Sequence, residues 1–132
     1  MVLDELVTYL AADGLGLVAA TNLFYGAMPA TPDLVVVLYE YPGMSSLAIG
    51  QNTISIEWPN IHVEVRGAQN DYATPRALLH SIVASFTKIG DQTLSGTRYG
   101  GVIAKQPPFR LGQDDDNRYL FACNFQVMKD FS

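Results

Sequence analysis

The run LVVVLYEYPG, Leu34–Gly43, restricts this chain more than any other stretch. Val35, Val36, Val37, Leu38 and Tyr39 follow one another with no polar residue between them. A strand sends successive side chains to opposite faces, so an unbroken apolar run predicts a strand covered on both sides. Pro42–Gly43 is expected to end it. A second run, NIHVEVRG, alternates instead. Ile61, Val63 and Val65 point one way, and His62, Glu64 and Arg66 the other, as in a half-buried strand. The last run, NRYLFACNFQVMK, puts Tyr119, Phe121, Cys123, Phe125 and Val127 on one face. Leu120, Ala122, Asn124, Gln126 and Met128 share the other.

Two segments carry helical spacing. VLDELVTYLAADG places Leu3, Leu6, Val7, Leu10 and Ala11 on one stripe and predicts a helix over about 2–12. Asp4 and Glu5 stand in its first turn, where the helix dipole favours anions, and Gly14 is a natural stop. DYATPRALLHSIVASFTKIGD offers Leu78, Leu79, Ile82, Val83, Phe86 and Ile89 as an apolar face. Asp71 or Thr74 can cap its start, Pro75 is tolerated in the first turn, and Gly90 is expected to close it. QTLSGTRYGGVIAKQ reads as a strand or hairpin with glycines at bends. The order of elements predicts an α+β fold: an antiparallel-rich mixed sheet with two helices packed on one face. The 132 residues fit one domain, 1–132, with no repeat or linker.

Composition excludes several functions. The formal net charge is −5, and the three lysines, Lys88, Lys105 and Lys129, are scattered, which argues against gripping nucleic acid. Charged residues make up 16%, fewer than the ~25% usual for soluble domains, so part of the surface is expected to meet other chains. One cysteine allows no internal disulfide and no cysteine-based zinc cage. No apolar run reaches the ~20 residues that span a bilayer, and Asp4–Glu5 replaces the basic start of a signal peptide. Synthesis in the cytoplasm, without a membrane, is the expectation.

No catalytic, cofactor-binding or metal residue stands out. Asp114, Asp115 and Asp116 lack the alternating spacing of a calcium loop, whereas Asp, Asn and Gly suit a tight turn. Cys123 shares a face with Phe121 and Phe125 and reads as packing. His62 and His80 read as surface histidines. A small enzyme or ligand-binding domain would need both imidazoles and some carboxylates to converge on one pocket. A dimeric module pairing through an exposed sheet edge is a further alternative.

LYEYPG, HVEVRG running into AQNDYATPRA, LSGTRY, and PPFRLGQDDDNRYLFACNFQV carry a resemblance that extends from the first helix through Met128. In their order and spacing the chain resembles bacteriophage minor capsid proteins similar to the tail terminator, or tail-completion, proteins of long-tailed phages. The resemblance implies a tail-terminator-like α+β fold and a virion structural protein at the tail–neck junction, without catalysis or cofactor. It implies a ring of copies, usually hexameric, that caps the tail tube and meets a head–tail connector while DNA passes through unbound. Another connector protein of the neck is the alternative.

On that implication, the apolar residues left over from the core form the ring contacts. Phe24, Tyr25, Tyr39, Tyr41, Trp58 and Tyr99 are the interface candidates, since aromatics with polar tips suit such surfaces. Glu64, Asp114, Asp115 and Asp116 are the candidates for lining the DNA channel. The segment Gly43–Asn60 is expected to reach toward the tube or the adjacent subunit and to order on assembly.

Overall fold

The structure, a computed structural model, describes residues 1–48 and 55–130, with side chains at 1–41 and 56–130. Helix α1 spans Val2–Ala12 and helix α2 spans Ala73–Phe86. The strands are β1 Leu23–Tyr25, β2 Val35–Ala48, β3 Ser55–Gln69, β4 Gly90–Leu94, β5 Thr97–Ala104, β6 Phe109–Gln113 and β7 Arg118–Asp130. They form one sheet in the order β1-β2-β3-β7-β5-β4, and β6 pairs with β7. Among the described strands β1–β2 pairs in parallel and the other pairs are antiparallel. This is the mixed, antiparallel-rich α+β fold expected from the order of elements.

The Val35–Leu38 run behaves as its composition demands. All four side chains are fully buried. Val36 and Leu38 join the main core with Ile61, Val63 and Val65 of β3 and Phe121, Cys123, Phe125 and Val127 of β7. Val35 and Val37 point the other way and are buried too. Leu3, Leu6, Val7 and Leu10 of α1, with Leu79, Ile82 and Phe86 of α2, complete that core. Phe86 stands edge-on to Phe125, ring centroids 5.2 Å apart. Burying such aromatic rings contributes about 2–3 kcal/mol each, which makes this layer the main source of stability.

Several local expectations need correction. Pro42–Gly43 does not end β2, which runs on to Ala48. The pairing with β3 shifts register between Tyr41 and Met44 and again between Met44 and Leu47. A bulge takes up a residue that has no N–H to donate, so the strand bends and continues. Much of Gly43–Asn60 is therefore paired strand; residues 49–54 lie outside the described residues, and with them the expected contact of that segment's tip. Helix α2 ends at Phe86 with Thr87 as its C-cap, and Gly90 opens β4. At its start, the Asp71 carboxylate accepts the Thr74 N–H at 3.2 Å; the Thr74 side chain and then this N–H lower the Asp71 pKa.

The glycines of QTLSGTRYGG divide into two roles. Ser95 and Gly96 both have positive φ and form the two-residue turn of the β4–β5 hairpin. Gly100 is no bend: a Cβ there would lie 1.9 Å from the Met128 side chain on β7. Its missing side chain leaves the space that Met128 fills.

Candidate functional site

The site is built on the sheet face turned away from the main core and on the two edges of the sheet. Register fixes the face. Tyr39 of β2 stands opposite His62 of β3, and His62 opposite Asn124 of β7. In the next row come Tyr41, Asn60 and Gln126, with Ile103 of β5 beyond. Tyr39, Glu40, Tyr41, His62 and Asn124 line a shallow depression. Trp58, Gly100, Gly101, Ile103, Gln126 and Met128 line a second, more apolar one. Lys105 reaches over the Tyr41 ring, 5.7 Å from its centroid.

The polar groups on this face are bonded to one another. His62 Nε2 lies 3.0 Å from Glu64 Oε1, and Nδ1 lies 2.6 Å from Asn124 Oδ1. The Glu64 hydrogen bond, seconded by Asn124 and the Glu64 charge, raises the His62 pKa against the cost of burial. Burial and then Glu64 raise the Tyr39 hydroxyl. His80 is exposed on α2, whereas His62 faces away from the α2-lined core, so the two imidazoles do not converge.

Arg66 ends the polar row of β3 but is not solvated. Its guanidinium is buried and donates to the carbonyls of Pro29, Ala30, Pro32 and Asp33 at 2.6–3.3 Å. It pins the 29–33 loop beside the start of β2. Arg118 donates to the Ala30 carbonyl and to Asp33 from the same side. Five donors in a planar fork make arginine the residue for such a clasp.

The aspartate run is a turn, as its composition suggests. Asp114 Oδ1 accepts the N–H groups of Asp116 and Arg118, and Oδ2 accepts Arg118 Nε at 2.8 Å. Asn117 takes positive φ, closing the β6–β7 hairpin. Asp115 and Asp116 are exposed. Glu64 sits mid-sheet, away from this turn, bonded to His62. Among the described residues no cluster of three His, Cys, Asp or Glu is arranged to hold a metal ion. Cys123 is fully buried, and burial pushes its thiol up to about 11, so it stays protonated and packs.

Five of the aromatic candidates keep some exposure: Phe24, Tyr39, Tyr41 and Trp58 partly, Tyr25 at 44%. Tyr99 does not. It is fully buried, and its hydroxyl donates to Glu5 Oε1 at 2.7 Å. Thr97 donates to the other oxygen of Glu5 at 2.6 Å. Tyr99 is thus a core residue that satisfies a buried carboxylate, and Glu5 faces the core instead of solvent.

Other surface residues carry no distinguishing sequence signal. Ile103 is 59% exposed, Tyr72 46% and Leu111 45%. Tyr72 stands edge-on to Tyr119 and Phe121, and Arg110 lies over the Tyr119 ring. Ile103 follows Val102 in a β-rich run where both residues look equally buried. Only the register with β7 sends Val102 inward and Ile103 out.

The fold has a solved counterpart. A chain from the "virion of native gene transfer agent (GTA) particle" superposes with a TM-score of 0.71. The two are 16% identical, and the match covers 98% of this chain and 94% of that one. A second structure, 14% identical over 94% of this chain and 88% of that one, has a TM-score of 0.43 and carries no argument. No curated protein matches. The family model described as "Bacteriophage tail terminator protein" matches residues 9–131, nearly the entire chain. A mixed α+β sheet with the fold of a virion component and a family match of that extent lead to one statement: the chain belongs to the bacteriophage tail terminator protein family.

Proposed function

We propose that this phage tail structural protein forms a ring of six copies that caps the finished tail tube at the neck. The ring then meets a head–tail connector. The match to the tail terminator family across residues 9–131 carries this reading. The chain acts in it as a single structural domain, with both helices on one side of the sheet and no substrate to turn over. Apolar residues at the sheet surface, with Phe24, Tyr25, Tyr39, Tyr41 and Trp58 among them, support self-association. DNA passes through without being held. Six copies at −5 each carry roughly −30, so phosphates meet repulsion, screened over ~8 Å in physiological salt. Glu64 and Asp114–Asp116 remain our candidates for the channel wall; Asp115 and Asp116, exposed at the hairpin tip, suit it best.

Negative-stain imaging of particles assembled without the protein tests the reading. Unjoined heads and tails, with tails of irregular length, are the expected result. Normal joined particles would overturn it.

A further inference from the structure

We infer that neighbouring copies join head to tail, the β6 edge of one against the β1 edge of the next. This rests on the ring reading above and names the surfaces that would build it.

Sheet register puts the two edges at opposite ends of one row. Leu23 of β1 pairs with Val36 of β2, Val36 with Val65 of β3, Val65 with Phe121 of β7, and Phe121 with Arg110 of β6. A ring contact that closes by rotation needs this arrangement: two different patches on opposite flanks.

The flanks are complementary in charge. No lysine or arginine precedes Arg66; the first 65 residues hold seven acidic side chains, and the remainder holds eight basic and six acidic. Two of those acidic residues, Asp4 of α1 and Glu40 of β2, stand at the β1 end of the sheet, whereas Glu5 of the same helix bonds to β5. At the β1 edge, Tyr25 is exposed and lines a shallow depression with Asp4, while Glu40 is exposed where β2 runs past β1. At the β6 edge, Arg110 is exposed beside Leu111, and Arg76 lies one helical turn beyond Tyr72. Among the described residues neither Arg76 nor Arg110 takes part in an ion pair. Each flank therefore offers an apolar group next to charge, Asp4 and Glu40 on one side and Arg76 and Arg110 on the other, with the exposed Asp115 and Asp116 in the turn that follows β6. Complementary rims of this kind set partner orientation and register. The β6 edge also presents strand backbone, since β6 pairs only with β7 among the described strands; at the other flank Leu23 of β1 also bridges to Ala19. The occupant we commit to is a second copy, since a matching acidic flank is present on the same chain.

Reciprocal charge reversal tests this, using sedimentation of the protein alone and, in parallel, on tail tubes from particles lacking it. Asp4→Arg and Arg110→Glu should each raise the concentration needed for assembly by about tenfold, and the double variant should restore it. Thermal unfolding of each variant checks that the fold is kept. A conservative Arg110→Lys variant guards against misfolding. Carbodiimide should link position 110 of one copy to Asp4 or Glu40 of another. Variants that assemble as readily as the wild type, or inter-copy links that never join these flanks, overturn the inference and leave the ring reading standing. A wild type that assembles neither alone nor on tubes overturns both.

Discussion

The two faces of the sheet follow different rules. On the core side, Phe86, Phe125, Leu79 and Ile61 are fully buried and apolar, and a polar cluster, Glu5 with Thr97 and Tyr99, is bonded within itself. On the other side, His62, Glu64 and Asn124 bond to one another while aromatic rings stay half exposed. The first face holds the fold together. Around His62 and Tyr41 the second adds little net stability, because its hydrogen bonds largely replace bonds to water, whereas toward Arg66 its Val35 and Val37 are fully buried. Its composition is thus free to serve contacts with other chains. The same contrast explains why an acidic, weakly charged chain can fold well and still present adhesive surface.

The sharpest way to break that division is to empty the core face. Phe86→Ala should destabilise the protein by about 3–5 kcal/mol, since the ring leaves a cavity against Phe125 that neighbours only partly fill. Tyr41→Ala on the other face should cost below about 1 kcal/mol. Urea unfolding of both variants measures the contrast. Comparable losses would mean that the open face carries the fold as well.

Arg66 should be the exception on the open face. Its guanidinium replaces water for four loop carbonyls, so Arg66→Ala takes the donor from those of Pro29, Pro32 and Asp33, while Ala30 still accepts from Arg118. A loss of about 2–3 kcal/mol is expected. Arg66→Lys should recover less than half of it, because a point charge cannot reach four carbonyls in a fork. Full recovery by lysine would show that charge alone matters. Burial and the adjacent Arg118 pull the Arg66 pKa down, while Asp114, Asp33 and Asp116 pull it up; the side chain stays cationic throughout.

Much of this contrast was legible in the sequence, and the rest was not for definable reasons. Alternation in NIHVEVRG and NRYLFACNFQV assigns faces correctly, because period two is a property of the strand itself. The Val35–Leu38 run announces double coverage for the same reason. Burial of Arg66, however, depends on a loop more than thirty residues away folding over it, and local pattern holds no trace of that. Tyr99 and Glu5 look like a surface pair of unrelated residues until α1 is docked on β5. Pro42–Gly43 reads as a stop because a missing N–H usually ends pairing, yet a bulge absorbs it. Of the aromatics named from the sequence, Tyr25 and Tyr41 keep some exposure, whereas the exposure of Ile103, Leu111 and Tyr72 shows only in the folded chain.

The smallest effect concerns His62, and it separates a bonded polar face from a merely wet one. Glu64 accepts from Nε2, so that nitrogen carries a proton whether the ring is neutral or charged. The carbonyl oxygen of Asn124 beside Nδ1 suits the charged ring, and a neutral ring calls for the amide to turn its N–H₂ inward. Both partners favour the imidazolium, which raises the pKa above its ordinary 6.5. The sign of the pH effect follows. Below 6.5 both folded and unfolded chains are protonated and the contribution is complete; as pH climbs through the folded value, the proton leaves and the contribution is lost. Stability should fall across the window just above 6.5, and His62→Gln should remove that slope. Imidazole titration by NMR, with unfolding at about pH 5.5 and about pH 8.5, measures both quantities. A midpoint at or below 6.5, or an unchanged slope in the variant, would show that water solvates the ring as well as Glu64 and Asn124 do.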